Sequence, residues 1–337
     1  MSKTIVFVFT GEFGYELLNW QARIRKFTSI TQNINYVVCS TKAVRALYPQ
    51  GTRFIELDSL NYFKNGIADT YFIRRMGFIK DDFFDSSLAI LRRFQIKKYV
   101  KKELSINGSQ IKFIFSDQYN VINNHSFGAT RWAPRLVFFR KRRFDSIYDS
   151  LPYEENTYCK LEPSPEAIEW AKNSLKNLEM SQNFIVLQTA DREYFLKKRR
   201  LQPESLHLIQ HLRENLPIVE IDFRSSRITD STSVPNKRQV IFCDSLDHQL
   251  AIISLASFAI FLSDGDFRSL NYVPPFAGKN VYSISSSSIV SNSAINLWNE
   301  KVFKFGGYCI PLTLESLIWD IKFRDQLVKY FKSLIEK

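Results

Sequence analysis

TIVFVFTGEFGYELLNWQ, residues 4–21, is the stretch on which the reading of the chain turns. Ile5, Val6, Phe7, Val8 and Phe9 form a continuous apolar run without in/out alternation, rich in β-branched and aromatic residues, which predicts a strand buried on both faces of a parallel sheet. The run stops at Thr10-Gly11. Gly11 and Gly14 stand where strand must turn into helix, and glycine allows positive φ or a close approach of backbone to ligand. Glu12 and Glu16 sit between and after them. Residues just past the carboxyl end of a strand in an open α/β sheet face the ligand crevice, so both acids are candidates for chemistry. The plainer alternative is an ordinary strand–turn–helix with solvated glutamates.

A length of 337 residues suits two domains of about 150 each. With 45% hydrophobic and 24% charged residues the composition is that of a globular protein, and 29 Phe and 15 Tyr supply a large core. The formal net charge of +12 favours anionic partners such as a nucleotide diphosphate, an acidic glycan or lipid, or nucleic acid. No apolar run approaches the roughly 20 residues that span a bilayer. The N-terminal run ends in a glycine-glutamate turn without a small-residue cleavage site, as a strand does and a signal peptide does not. Cys39, Cys159, Cys243 and Cys309 are far apart in sequence, in neither a metal-ligand nor a disulfide pattern, which suits reduced thiols and a cytoplasmic protein.

Downstream of the first turn, helix is expected over 16–27, strand over 35–39, helix over 41–48 before Pro49, and strand over 52–57. Alternation of this kind implies parallel βαβ units. Over 81–103 Leu88, Leu91, Phe94 and Tyr99 can share a helical face, with Arg92, Arg93, Lys97, Lys98, Lys101 and Lys102 interspersed. A helix of that composition is either a surface helix with a solvated face or one that lies on an anionic membrane. After a strand at 112–116, Arg131, Arg135, Arg140, Lys141, Arg142 and Arg143 mix with Trp132, Phe138 and Phe139. That mixture suits stacking on single-stranded nucleic acid or binding of a sugar with its phosphates, but no recognition-helix, zinc-finger or single-strand-binding signature accompanies it.

Prolines 152, 163 and 165 mark a linker over 150–165, and Ser164-Pro165 is a helix start for 165–177. The second half repeats the first: strand 183–188, helix 203–215, strand 217–222, helix 249–257, strand 258–262, strand 280–284 and a C-terminal helix over 314–335. Residues 283–293 are serine-rich and read as a loop. Two α/β halves joined by a linker place a cleft between them. In the second half, Thr189, Asp191 and Arg192 follow a strand end and lead to Lys197 and Lys198, cations that can reach a phosphate; Arg224 closes another strand. Asp264, Gly265, Arg268 and Ser269 form a glycine turn opening a helix, where free amides and Arg268 make a diphosphate cradle.

Two of these places carry a resemblance. Thr10-Gly11-Glu12-Phe13-Gly14 looks like the N-terminal glycine-acid turn of GT-B glycosyltransferases of the heptosyltransferase-like branch, which build bacterial surface polysaccharides. Residues 252–278, IISLASFAIFLSDGDFRSLNYVPPFAG from Ile252 to Gly278, look like that branch's donor-site signature. The resemblance implies two Rossmann-like domains facing a central cleft, with an acceptor-side domain over 1–155, a nucleotide-sugar domain over 164–312 and a helix over 313–337 packing back across both. It implies Glu12 as the catalytic base where the branch usually has Asp. The branch's His, expected a few residues after the donor turn, is replaced by the neighbourhood of Arg268-Ser269.

The function so implied is transfer of a sugar from a nucleotide-sugar co-substrate to a glycan or glycolipid acceptor, with no other cofactor and no metal. Arg192, Lys197 or Lys198, Arg268 and helix-start amides would stabilise the departing phosphate. Glu12 would take the acceptor's proton, with Glu16 as alternate and Asp191 as a weaker third. Asp264-Gly265-Asp266 matches the Asp-x-Asp pattern of metal-dependent transferases formally, but its central glycine suits a backbone turn. His207 and His211, four apart on a helix, lack a third ligand and read as exposed. The expected location is the cytoplasm, with the inner face of the membrane as the place where the basic helix would work. Two rivals stand beside this reading: a catalytically silent module of the same fold binding anionic glycan or lipid, and, as the weaker one, a nucleic-acid-binding protein.

Overall fold

The computed structural model describes residues 4–9, 16–30, 35–60, 82–105, 110–115, 158–180, 183–189, 203–223, 240–263, 273–285, 299, 303–313 and 321–336. The chain divides into two compact units, Met1–Tyr158 and Cys159–Lys337. Each is built on a parallel sheet.

In the first unit β1 (Thr4–Val8), β2 (Tyr36–Ser40), β3 (Arg53–Glu56) and β4 (Ile111–Phe115) are ordered β3-β2-β1-β4. Every residue of β1 is buried, as its unalternating apolar run requires. Val6 and Val8 join Val37, Cys39, Ile55 and Phe115 in a core closed by the helix α2 (Asp82–Leu104) through Ile96, Val100 and Leu104. On the opposite parity Phe7 packs edge-on against Trp20 and Phe27, the latter on α1 (Gln21–Ile30). Successive side chains of a strand point to opposite faces, so this alternation of partners follows from the pleat.

Three local expectations are corrected here. The segment after the first turn opens as a π-helical turn, Glu16–Trp20, before α1 begins, and Lys42–Leu47 is a 3-10 helix. On α2 the buried stripe is Ile96, Val100 and Leu104 at i, i+4, i+8, which leaves Phe94 66% exposed rather than packed. The basic stems lean inward elsewhere: Arg93 and Lys97 lie 5.8 Å from the ring of Phe115.

The second unit has six strands, β5 (Ile185–Thr189), β6 (Ile218–Phe223), β7 (Val240–Cys243), β8 (Phe258–Ser263), β9 (Val281–Ser285) and β10 (Cys309–Thr313), ordered β10-β9-β8-β5-β6-β7. Helix α3 (Pro165–Asn177) starts at Ser164, whose Oγ accepts from the Ala167 amide. It pairs with α5 (Leu246–Leu255), where Asp247 accepts from both the backbone amide and the hydroxyl of Ser164. Helix α4 (Pro203–Asn215) and the C-terminal α7 (Ile321–Ile335) cover the other face, with Leu208, Leu212, Leu327, Val328 and Phe331 packing on Ile185, Leu187, Ile260 and Ile284. Between β8 and β9 a short helix α6 (Val273–Phe276) ends at Gly278, whose φ of +78° and 2.5 Å clearance to the Phe305 carbonyl oxygen leave no room for a Cβ.

Strands β7 and β10 went unread in the sequence, and β9 runs to Ser285, one residue past the expected strand and into the serine-rich stretch read as a loop. His211 is part-buried and paired with Asp325 of α7 at 3.0 Å, so of the two helix histidines only His207 is exposed.

Candidate active site

The strand orders set where each unit can hold a ligand. In the first, β1, β2 and β3 step outward in one direction and β4 then returns to the other side of β1, with Val8 opposite Phe115. In the second, β5, β6 and β7 step one way and β8 returns beside β5, with Thr189 opposite Leu262. Connections leaving two such neighbouring strands run to opposite faces, and the crevice between them at the carboxyl ends is where open α/β sheets bind ligands.

The sequence-predicted residues start from these ends. Thr189 is the last residue of β5. Gly11, Glu12, Gly14, Asp191, Arg192, Lys197, Lys198, Arg224, Asp264, Gly265, Arg268 and Ser269 lie outside the described residues. In the sequence, residues 11–14 follow β1, residues 191–198 follow β5, and Asp264 is the residue after β8, so these candidate residues come next in the chain after strands that flank the switch points. Arg224 follows β6, one strand further out.

Glu16 is described fully. It opens the π-helical turn, is 2% exposed, and accepts a 2.6 Å hydrogen bond from the Tyr48 hydroxyl; Ser40, the last residue of β2, hydrogen-bonds to it as well. Burial pushes its carboxyl up to about 8, against the smaller opposing effect of those two hydrogen bonds. At pH 7 burial therefore favours the protonated form, which differs from the solvated carboxylate of the plainer alternative.

The surrounding bonds are as specific. The buried Gln21 donates from Nε2 to the Leu17 carbonyl at 2.9 Å, inside the π-helical turn where the regular ladder is interrupted. Its Oε1 accepts from Arg25, which also donates to the Leu47 carbonyl at 3.0 Å and so ties α1 to the 3-10 helix. Sequence reasoning missed Ser40 and Tyr48. Ser40 carries a signal, a polar residue closing an apolar strand, whereas nothing local marks Tyr48, 32 positions from its partner. In the second unit Gln249 of α5, wholly buried, donates to Gln188 of β5 at 3.4 Å, a polar contact one residue before Thr189 that apolar periodicity also conceals. Among the described residues no group of three or more His, Cys, Asp or Glu could hold a metal ion.

Two parallel Rossmann-like sheets, each with a switch point, define the chain as an α/β protein of the GT-B fold class. A glycosyl transferase family 9 structure from Veillonella parvula has the same fold, covering 99% of this chain and 97% of its own with a TM-score of 0.55 at 10% identity. E. coli ADP-heptose lipopolysaccharide heptosyltransferase II matches over 100% and 99% with a TM-score of 0.49 at 12% identity, and E. coli heptosyltransferase WaaC with ADP over 98% and 99% with 0.42 at 9%. No protein-family model matches the sequence, and no curated protein matches it. At such identities the likeness is one of fold.

Proposed function

We propose that this chain is a glycosyltransferase that moves a sugar from a nucleotide-sugar donor to a glycan or glycolipid acceptor during synthesis of a surface polysaccharide. The observation that carries the reading is the distribution of chemistry over the two switch points. The segment with Glu12 follows β1, and the segments with Arg192, Lys197, Lys198 and Arg268 follow β5 and β8. Glycosyl transfer needs both halves: a base for the acceptor hydroxyl and cations with free amides for the phosphate that leaves. In this mechanism Glu12 takes the hydroxyl proton as the acceptor oxygen attacks the anomeric carbon. The bond to the nucleotide phosphate breaks with its electron pair left on the phosphate, whose negative charge Arg268, Arg192, Lys197 or Lys198 and the backbone amides of residues 264–269 would stabilise without a metal.

The test is thermal stabilisation by UDP, GDP, ADP, CMP and dTDP. A nucleotide at about 100 times its dissociation constant is expected to add about 2.7 kcal/mol of stability. One or two of the five should do so; no stabilisation by any would overturn the reading.

The membrane-facing part of this function is carried by α2. Phe94 is 66% exposed, and Lys98, Lys101 and Lys102, all exposed, stand four, seven and eight positions further along the same helical face. An anionic bilayer is attracted by about 1 kcal/mol per lysine near its surface, so changing all three to Glu should lower binding to phosphatidylserine vesicles at least about 100-fold. Flotation with and without the charge reversal measures it, and equal flotation would remove the membrane from the proposal. No helix among the described residues is long and apolar enough to cross a membrane.

A further inference from the structure

We propose that Gln188 binds the donor, its side-chain Nε2 donating to a phosphate oxygen of the nucleotide sugar, and that Gln249, wholly buried behind it, is the positioning residue that aims it. The proposal rests on the glycosyltransferase reading and deepens it, adding an uncharged contact to the cations already named for that site.

The two residues break the rule that their elements otherwise obey. β5 is a central strand, between β8 and β6, and its Ile185, Val186 and Leu187 are buried. Gln188 follows them as a part-buried amide, one residue before the strand's carboxyl end. Helix α5 buries Leu246, Leu250, Ala251, Ile252 and Ile253, and with them Gln249, 0% exposed. A methionine at 249 would fill similar space with no amide to desolvate. The Gln249 amide is also poorly satisfied. Its Nε2 reaches the Gln188 Oε1 at 3.4 Å, a long bond, and its own Oε1 is buried with no hydrogen-bond partner. A buried polar group short of partners destabilises the fold, and such groups are kept where function requires them.

Ile185 and Leu187 lie in the core formed with α4 and α7, so the pleat turns Gln188 to the opposite face, the one on which it meets α5. Helix α5 begins just past the carboxyl end of β7, and the strands are parallel. Its first turn, with Gln249, is therefore at the same end of the sheet as the crevice between β5 and β8. That turn is held firmly. Ser245 accepts from the His248 amide through its Oγ and from the Gln249 amide through its carbonyl, and Asp247 accepts from Ser164 at the start of α3.

Gln249 thus presents its donor from a rigid support and holds the Gln188 oxygen toward α5. Oxygen and nitrogen of a planar amide diverge from one carbon, so the Gln188 nitrogen is aimed elsewhere, and among the described residues it has no partner. Turning both amides over would leave both Gln249 N–H groups buried without acceptors, a rarer condition than an orphaned carbonyl. The free end of Gln188 is accordingly donor only. A phosphate oxygen, which only accepts, is the group on a nucleotide sugar that matches it best.

The experiment compares wild type, Gln188→Leu, Gln188→Glu, Gln249→Met and the double variant Gln188→Leu/Gln249→Met. Affinity for UDP, GDP, ADP, CMP and dTDP is measured by calorimetry, and melting temperature without nucleotide. Gln188→Leu is expected to weaken binding about 10–100-fold, as loss of one hydrogen bond to a charged group does. Gln188→Glu keeps an oxygen for the Gln249 Nε2 but sets a negative charge against the phosphate, so its loss should exceed that of Gln188→Leu by at least about tenfold. Gln249→Met should weaken binding about fivefold with an unchanged or higher melting temperature, and should add no further loss when Gln188 is already leucine. Wild-type affinity in Gln188→Leu, or a glutamate no worse than leucine, would overturn the inference while leaving the functional reading in place. So would a Gln249→Met protein that melts lower yet binds as the wild type does, the signature of a purely structural pair. A wild type that binds none of the five nucleotides would overturn the functional reading and this inference with it.

Discussion

Glu12→Gln is expected to lower kcat by about 10²–10⁴-fold while leaving nucleotide affinity within about a factor of two. Glutamine has nearly the volume of glutamate and keeps a hydrogen-bond acceptor, so the substitution removes the one property the proposed function asks of position 12, the ability to take a proton. Catalysis by a positioned base acts on the transition state, in which the acceptor O–H is breaking; the ground-state donor complex does not use that base. Under the proposed function the donor-binding groups are those of the segments that follow β5 and β8, and the substitution leaves their sequence untouched. The expected signature is therefore a fall in kcat with the nucleotide's dissociation constant preserved, read by steady-state assay and calorimetry on the same preparation. A silent binder of anionic glycan would show no difference between wild type and variant in either measurement. A nucleic-acid binder would be betrayed by oligonucleotide affinity that falls steeply with salt and by indifference to nucleotides.

What could be read from the sequence, and what could not, follows from how local each cause is. Strands β1, β5 and β8 were legible because burial on both faces removes alternation, leaving runs such as Phe258-Ala259-Ile260-Phe261-Leu262. Helices α3 and α4 were read to the residue because their starts are written in single positions, Ser164 with Pro165, and Pro203. The missed strands are edge strands that break those rules. β7 has four residues and alternates, with Phe242 40% exposed; β10 carries Pro311, which an edge strand tolerates and a central one does not. The exposed side of Phe94 was misread because spacings of three, Leu88, Leu91 and Phe94, compete with the spacing of four that places Ile96, Val100 and Leu104 inside. The ends of β1, β5 and β8, after which the candidate site residues follow, were visible because a glycine, a polar residue or an acid after an apolar run is a local signal. The environment of Glu16 was invisible, because the burial that raises its carboxyl and the hydrogen bond from Tyr48, 32 positions away, that opposes the rise are both products of tertiary packing.

Phe331→Ala should destabilise the second unit by about 3–5 kcal/mol, the range for deleting a buried phenyl ring. Phe331 is completely buried on α7, its ring 5.3 Å from that of Phe258 at the start of β8 and 5.1 Å from that of Tyr282 on β9. The ring thus joins the C-terminal helix to the two strands on one side of the switch point. Its removal leaves a cavity bounded by strands that the ladder holds in place and by Leu327 and Val328, which are themselves part of the same core. Collapse around it is correspondingly limited, which favours the upper part of the range. For a unit of this size each kcal/mol shifts the midpoint by about 2–4 °C, so a fall on the order of 10 °C is expected in calorimetry. Tyr330→Phe makes the comparison sharp: its hydroxyl pairs with Tyr282 at 3.2 Å, but the residue is 46% exposed, and its loss should cost no more than about 1 kcal/mol. A Phe331→Ala loss as small as that would mean α7 is not anchored on β8 and β9. The link to function is directional. Because Ser263, after which the candidate donor-binding residues follow, lies at the far end of β8 from Phe258, nucleotide affinity measured well below the midpoint should survive the substitution, while the temperature at which it is lost should fall with the unfolding midpoint.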